Sequence, residues 1–291
     1  MKVGSFETGK VYQGDCLELM EAIPDSVVRL IWTDPPYGIN ANDKGDLLRN
    51  WKSAMGKGDH HVPYWKAMKK VHKDEEARPV LNDSLEDATR VIEGMLKEAA
   101  RVLFKDYSSL CCCCAGGGPS TTFADLAHLL DQKPFTFFHA IVWDKGSLGM
   151  GWRYRRNYEF IMVAHLKWKK LSWSWKGCGK EVGNIIKISR IVPRPHQHPT
   201  VKPVALVEHF LRLHTKPGEV VLDPFAGSGT TGVACKKMGR EFIGFELDQH
   251  WVDVANKRIE ETEGAGVTEE GLLYNPKYYP KNAKASSDSL F

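Results

Sequence analysis

Apolar residues along the chain follow two alternating patterns, short continuous runs and a spacing of three and four. The continuous runs predict buried strands, and the wider spacing predicts amphipathic helices. Predicted strands lie at residues 11–13, 27–33, 111–114, 138–143, 220–222 and 242–245, and predicted helices at 16–22, 85–103, 123–130, 204–213 and 249–261. This alternation predicts an α/β fold with a doubly wound, mostly parallel sheet.

Two stretches of the chain lack either pattern. Residues 38–82 are polar and irregular, and a loop of that length is usually functional or disordered. Residues 263–291 form a polar tail that we expect to be loosely held.

Composition limits the class of protein without identifying it. Of the 291 residues, 42% are hydrophobic and 26% are charged, a balance that excludes a disordered chain, a collagen-like repeat and a membrane bundle. The net charge of +4 is too small to indicate a partner. Neither a secretory signal nor an apolar run of about 18 residues is visible, so we expect a cytoplasmic protein with no membrane partner.

The cysteines and histidines do not form a recognisable ligand pattern. The seven cysteines are an odd number and four are consecutive, which suits a small-residue buried strand better than a disulfide framework. The histidine pairs lack further ligands at metal-binding spacing, so we expect no metal site. These pairs are His60 with His61 and His196 with His198.

A glycine-rich turn follows the predicted strand at 220–222. Gly227, Gly229 and Gly232 satisfy G-x-G-x-x-G, a pattern whose backbone N–H groups bind anionic groups at the start of a helix. A P-loop is excluded because the lysine that would follow Gly232 is missing. Glu246 lies nineteen residues after Gly227 and can accept hydrogen bonds from ribose hydroxyls. The turn fits NAD and S-adenosylmethionine equally.

A second polar motif follows the strand at 27–33, where open parallel sheets bind ligands. Its carboxylate and first prolyl carbonyl can accept both N–H bonds of an exocyclic amine, which directs the nitrogen lone pair toward a methyl donor. The prolines fix the carbonyl direction, and the aromatic ring can stack on a flipped base. Alternatively, the motif is a rigid turn. Its residues are Asp34, Pro35, Pro36 and Tyr37.

Taken together, the two motifs resemble those of the amino-group DNA methyltransferases that use S-adenosylmethionine. Their order resembles the β class of that family, which implies a circularly permuted, Rossmann-like methyltransferase fold. The resemblance covers about residues 8–260 and implies a methyl-transfer enzyme that flips a base out of double-stranded DNA. The catalytic residues it implies are Asp34, Pro35, Pro36 and Tyr37.

The resemblance also implies a set of cofactor-binding residues. Asp15 resembles the acid of the adenine pocket, and Thr200 and Lys202 would reach the methionine end of the cofactor. The remaining implied cofactor residues are Asp223, Phe225, Ala226, Gly227, Ser228, Gly229, Thr230 and Glu246.

The target base is indicated by the first residue of the catalytic motif. In the family, Asp at this position usually accompanies N6-adenine and Ser usually accompanies N4-cytosine, so Asp34 favours adenine. A cytosine-C5 enzyme is excluded because no Pro-Cys dipeptide occurs. N4-cytosine, RNA or protein amide methylation, an NAD-dependent oxidoreductase and a non-catalytic DNA-binding protein stay open. The resemblance also allows a homodimer and a partner restriction endonuclease.

A basic, aromatic segment separates the two predicted halves of the enzyme. Residues 145–194 contain twelve Lys or Arg and two Asp or Glu, a net charge of +10. Basic residues interleaved with aromatic ones are typical of nucleic-acid contact, although a solvated face with its own aromatic core fits as well. The aromatic residues interleaved with the basic ones are Trp152, Tyr154, Tyr158, Trp168, Trp173 and Trp175. The expected layout is a catalytic half (1–144), a target-recognition insert (145–194), a cofactor half (195–262) and a tail (263–291).

Overall fold

The structure is a computed structural model that describes residues 1–36, 84–114, 122–148, 155, 157–167, 169–173, 182–191 and 201–264. Elements are numbered within these parts of the chain. The helices are α1 (Cys16–Glu21), α2 (Leu85–Val102), α3 (Thr122–Leu130), α4 (Val204–His214), α5 (Thr230–Met238) and α6 (Gln249–Glu260). The strands are β1 (Lys2–Val3), β2 (Phe6–Glu7), β3 (Lys10–Gln13), β4 (Val28–Thr33), β5 (Tyr107–Cys114), β6 (Phe135–Asp144), β7 (Tyr158–Leu166), β8 (Lys170–Leu171), β9 (Ile185–Lys187), β10 (Val220–Asp223) and β11 (Glu241–Glu246).

One mixed sheet organises the molecule. Its strands follow the order β3-β11-β10-β4-β5-β7-β6-β9, and β8 pairs with β5. The first five strands in that order are mutually parallel, whereas β7 is antiparallel to both β5 and β6. The α/β class with a mostly parallel sheet, predicted from the alternating apolar patterns, is therefore confirmed.

The helices cover both faces of this sheet. On one face, Met20 of α1, Met95 of α2 and Leu130 of α3 belong to one buried apolar cluster. On the other face, Phe210 of α4 and Val252 of α6 belong to a second cluster, which also contains Val233 of α5. Two separate cores on opposite faces are the arrangement of a doubly wound fold.

The sheet brings two motifs to one edge. Strands β10 and β4 are parallel neighbours, with Leu222 paired with Ile31. Because both run in the same direction, their carboxyl ends, at Asp223 and Thr33, lie side by side. Residues that follow these strands therefore meet at one edge, where open α/β sheets bind their ligands.

Part of the basic segment 145–194 lies in the main sheet. Strand β7 lies within it and pairs with β5 on one side and β6 on the other. The segment is therefore not an insertion along its whole length, because residues 158–166 belong to the main sheet. The circular permutation and the recognition role of residues 145–194 stay predictions.

Several expectations concern residues outside the described parts of the chain. These residues are the whole loop at 38–82 and all but the first two residues of the tail at 263–291. The four histidines considered as metal ligands also lie outside the described residues. Among the helices that the structure describes, none is long and apolar enough to cross a membrane.

Candidate active site

The glycine turn between β10 and α5 is shaped by close packing. Gly229 has φ of +78° and caps the start of α5. A Cβ at Gly229 would lie 2.7 Å from Cβ of Ala255 in α6, and a Cβ at Gly232 would lie 2.4 Å from Cδ1 of Ile259. These glycines allow α5 to pack directly on α6, which fixes the start of the helix beside the carboxyl end of β10.

Asp223 holds this turn from the inside. Its Oδ1 accepts a hydrogen bond from the backbone N–H of Phe225 (3.1 Å), and its Oδ2 accepts one from Oγ1 of Thr231 (2.5 Å). The residue is only 4% exposed. Asp223 was expected among the cofactor residues, and the structure shows both of its carboxylate oxygens bonded to groups of the protein.

Because the Asp223 carboxyl is buried, we expect the free energy of unfolding to depend on pH. Burial, with a smaller effect from the Asp34 charge, raises the pKa of Asp223 to about 7. The folded protein then keeps this proton up to about pH 7, whereas the unfolded chain releases it near pH 4. The contribution of Asp223 to the free energy of unfolding therefore decreases as the pH rises between these two values.

Asp223→Asn removes this titration while keeping the size of the side chain. We expect the free energy of unfolding of the wild-type protein, relative to that of Asp223→Asn, to fall by roughly 1–4 kcal/mol from pH 4 to pH 7. Urea titrations of both full-length proteins across this range measure the difference. A difference that does not change with pH would contradict the prediction.

Glu246 joins the ends of three segments at the same edge. Its Oε2 accepts a hydrogen bond from the N–H of Gly227 (3.0 Å), and its Oε1 accepts one from the N–H of Asp248 (3.0 Å). Its backbone oxygen accepts a hydrogen bond from the N–H of Gly14 (2.9 Å). Burial raises the pKa of Glu246, although the N–H groups of Asp248 and Gly227 at its carboxylate act in the opposite direction. Each carboxylate oxygen retains a lone pair for a further donor.

The residue after Gly14 was the other expected acid of the cofactor site. Asp15 caps α1, and its Oδ1 accepts a hydrogen bond from the N–H of Leu17 (2.8 Å). Since β3 and β11 are parallel neighbours, Asp15 and Glu246 follow or end adjacent strands. The structure therefore brings both acids to the edge that carries the glycine turn.

The remaining residues of the glycine turn are mostly buried. Ala226, Ser228 and Thr230 are each less than 8% exposed, and Phe225 is partly buried. The Ser228 hydroxyl accepts a hydrogen bond from the Arg258 guanidinium (2.8 Å), which also bonds to the Ser228 carbonyl. These contacts help to fix the shape of the turn.

Asp34 begins the second motif directly after β4. Its Oδ2 accepts a hydrogen bond from Nζ of Lys202 (2.5 Å), which lies two residues before α4. Pro35 is buried and Pro36 partly buried. Lys202 was expected at the methionine end of a cofactor, and the structure pairs it with Asp34. Tyr37 and Thr200 lie outside the described residues.

Two further charged residues adjoin this pair and were not predicted as site residues. Nζ of Lys202 is 3.6 Å from Oε2 of Glu159, and Nζ of Lys145 is 3.0 Å from Oε1 of Glu159. Lys145 belongs to a stretch that could have indicated it, because Val142-Trp143-Asp144-Lys145 resembles the stretch that precedes the recognition region in the family that the two motifs resemble. No pattern in the sequence indicated Glu159, because it is one of two acidic residues within the basic segment 145–194.

The expected DNA-contacting aromatic residues are only partly described. Tyr158 lies in β7, where its ring packs edge-on against Phe160 (5.2 Å between centroids). Trp173 is 42% exposed. The other expected aromatic contacts, Trp152, Tyr154, Trp168 and Trp175, lie outside the described residues.

Two relatives and a solved structure resemble this chain over most of its length. The type II methyltransferase M.HinfI of Haemophilus influenzae is 28% identical over 86% of this chain and 68% of its own. The DNA adenine methyltransferase YhdJ of Escherichia coli strain K12 is 28% identical over 87% of this chain and 83% of its own. The cytosine-N4-specific PvuII DNA methyltransferase has a similar fold, with a TM-score of 0.61 at 19% identity over 94% of this chain and 93% of its own.

A family of sequences also matches the chain directly. Residues 28–257 match the N6/N4 methyltransferase family described as DNA methylase. This range contains Asp34, Lys202, the glycine turn and Glu246, and it favours methyl transfer over the NAD-dependent oxidoreductase that the glycine pattern left open. Because the match extends over well more than half of its residues, the chain belongs to this family of DNA methylases, which methylate the amino group of adenine or cytosine.

Proposed function

We propose that this protein transfers a methyl group from S-adenosylmethionine to N6 of adenine in double-stranded DNA. Methylation of a DNA amino group follows from the family, and the choice of adenine is the further step. One observation supports the proposal most: Asp34 follows β4 at the sheet edge where the glycine turn follows the neighbouring β10. An amine acceptor and a cofactor turn thus lie next to each other.

The residues at this edge fit the cofactor chemically. Glu246 retains acceptor capacity for ribose hydroxyls, and backbone N–H groups of the glycine turn lie at the positive end of α5. We assign Asp15 to the adenine pocket, Thr200 and Lys202 to the methionine end, and the turn at 223–230 to the cofactor backbone. When bound, S-adenosylmethionine supplies an electrophilic methyl group.

The chain's own part in the reaction is to prepare the amine. The exocyclic nitrogen of adenine is a poor nucleophile because its lone pair is delocalised into the ring. Asp34 and the carbonyl of Pro35 accept its two N–H bonds and favour a tetrahedral nitrogen whose lone pair is available. Pro35 is buried, so its carbonyl direction is set before the base arrives. Tyr37 stacks on the flipped base.

Adenine is favoured by the acidic residue at position 34 and by the likeness to a DNA adenine methyltransferase. N4-cytosine is the second candidate, because the fold also resembles that of a cytosine-N4-specific enzyme. The homodimer and the partner restriction endonuclease stay predictions.

Expression in a bacterial host that lacks DNA methylation tests the proposal. We expect N6-methyladenine to appear in the host genome within one short sequence context, because specific methyltransferases modify only their recognition sites. Sequencing with direct detection of modified bases reports the base and its context together. A host that carries the empty vector is the control. Detection of N4-methylcytosine instead would contradict the choice of adenine and support the second candidate. Detection of no modified base would contradict DNA methylation by this protein.

A further inference from the structure

Four charged side chains form a continuous line that begins at the catalytic motif. In this line the charges alternate in sign, and each side chain is at least three-quarters shielded from solvent. The line extends from the carboxyl end of β4, across the segment before α4, to β7 and the end of β6. Its members, in order, are Asp34, Lys202, Glu159 and Lys145.

Lys202 stands between two carboxylates at unequal distances. Its Nζ is 2.5 Å from Oδ2 of Asp34 and 3.6 Å from Oε2 of Glu159. In the proposed reaction Asp34 accepts an N–H bond from the target amine, and a Lys202 ammonium at the same oxygen competes for that position. Because the Lys202 side chain is only 11% exposed, moving its charge away from Asp34 is costly unless another acceptor is near.

Glu159 has the geometry of that acceptor. Its Oε1 is bonded to Nζ of Lys145, which holds the carboxylate in place. Its Oε2 is buried and has no hydrogen-bond partner among the residues that the structure describes. A shift of about 1 Å would bring Nζ of Lys202 within charged hydrogen-bond distance of this oxygen.

The charge of Glu159 suits the same role. Burial alone would raise its pKa, but the neighbouring Lys202 and Lys145 lower the pKa below its usual value. Glu159 is therefore ionised at neutral pH and attracts the Lys202 ammonium. A buried charged oxygen without a hydrogen bond is uncommon in folded proteins, and a mobile cation beside it gives that oxygen a partner.

We propose that Glu159 is a positioning residue that receives the Lys202 ammonium when the target amine binds to Asp34. The inference rests on the proposed function, because it assumes that Asp34 accepts the amine. Lys202 then alternates between two carboxylates, and Lys145 keeps the second one within reach. Asp34 is thereby paired with the Lys202 ammonium before the base arrives, and the ammonium leaves Asp34 when the base is in place.

A double-mutant cycle tests the link between Glu159 and Lys202. The variants are Glu159→Gln, which keeps the size of the side chain and removes its charge, Lys202→Met, and the combination of the two. The measured quantities are the single-turnover rate of methyl transfer to DNA that contains the mapped recognition site, and the dissociation constants of S-adenosylmethionine and of this DNA.

In an otherwise wild-type protein, we expect Glu159→Gln to slow single-turnover methyl transfer by about 10-fold, because Lys202 stays on Asp34. The affinity for S-adenosylmethionine should change by less than about threefold, which also shows that the variant is folded. In the Lys202→Met protein, the same Glu159→Gln change should alter the rate by less than about twofold, since no ammonium has to move.

Three results would overturn the inference. They are an unchanged rate in Glu159→Gln, an equal loss with and without Lys202, and a loss of cofactor affinity that accounts for the whole effect. In each of these cases the wild-type protein still methylates DNA, so the proposed function stands. A wild-type protein that methylates no DNA would overturn the proposed function and this inference with it.

Discussion

Replacing Asp34 with Ala should slow methyl transfer by about 10²–10³-fold, because the variant loses the carboxylate that accepts the amine and keeps the rest of the site. Asp34 is bonded to Lys202, whereas the glycine turn is held by Asp223 and Glu246. We therefore expect the affinity for S-adenosylmethionine to change by less than about threefold. Single-turnover assays and calorimetric titration of the cofactor measure the two quantities separately.

Asp25→Ala is a matched control for this prediction. Asp25 also has a carboxylate paired with a basic residue, Arg101, at 2.7 Å. It precedes β4, so it lies near the opposite end of the strand that Asp34 follows. Its side chain is 67% exposed, and its loss should leave the methyl-transfer rate unchanged. An Asp34→Ala enzyme as active as this control would contradict the proposed role of Asp34.

Gly229→Ala should lower the free energy of unfolding by roughly 2–4 kcal/mol, because the added methyl group has no space. Its Cβ would lie 2.7 Å from that of Ala255, and its backbone has a positive φ of +78°. The clash would separate α5 from α6 and distort the glycine turn, so cofactor affinity should fall as well. Urea denaturation of the full-length protein measures the loss of stability.

Gly218→Ala separates the cost of the clash with α6 from the cost of the positive φ in this loss of stability. Gly218 has nearly the same backbone angle, φ of +80°, but a Cβ there meets no atom within 4 Å. We expect it to lose only about 1 kcal/mol, which is the cost of the backbone conformation alone. Equal losses in the two variants would show that packing against α6 is not what requires glycine at position 229.

The sequence patterns predicted much of the parallel part of the sheet. Strands β4 and β10 are fully buried on both faces, so each appears as a nearly continuous apolar run, which in β4 is interrupted by the buried Arg29. Strands β1 and β2 were not predicted, since two residues each are too few for any periodicity. Strand β6 begins at Phe135, three residues earlier than predicted, because its exposed and buried positions do not alternate regularly.

The candidate site was predictable where it depends on local sequence. Asp34 and Glu246 stand at or after the ends of predicted strands, so their shared edge follows from the parallel sheet alone. The bond between Lys202 and Asp34 was not predictable, because it joins residues 168 positions apart. The position of Glu159 depends on β7 entering the sheet antiparallel between β5 and β6, and no local pattern encodes that strand order.

The place of β7 in the sheet limits how the enzyme can be recombined with its relatives. A chimera that exchanges all of residues 145–194 would replace a strand paired on both sides, together with Glu159. Its new strand would have to pair with the old β5 and β6, including the buried Cys111 and Cys112 that are its register partners in β5. Chimeras intended to alter DNA specificity should therefore exchange the segments between the strands, 146–157 and 172–184, and retain Lys145 together with β7, β8 and β9.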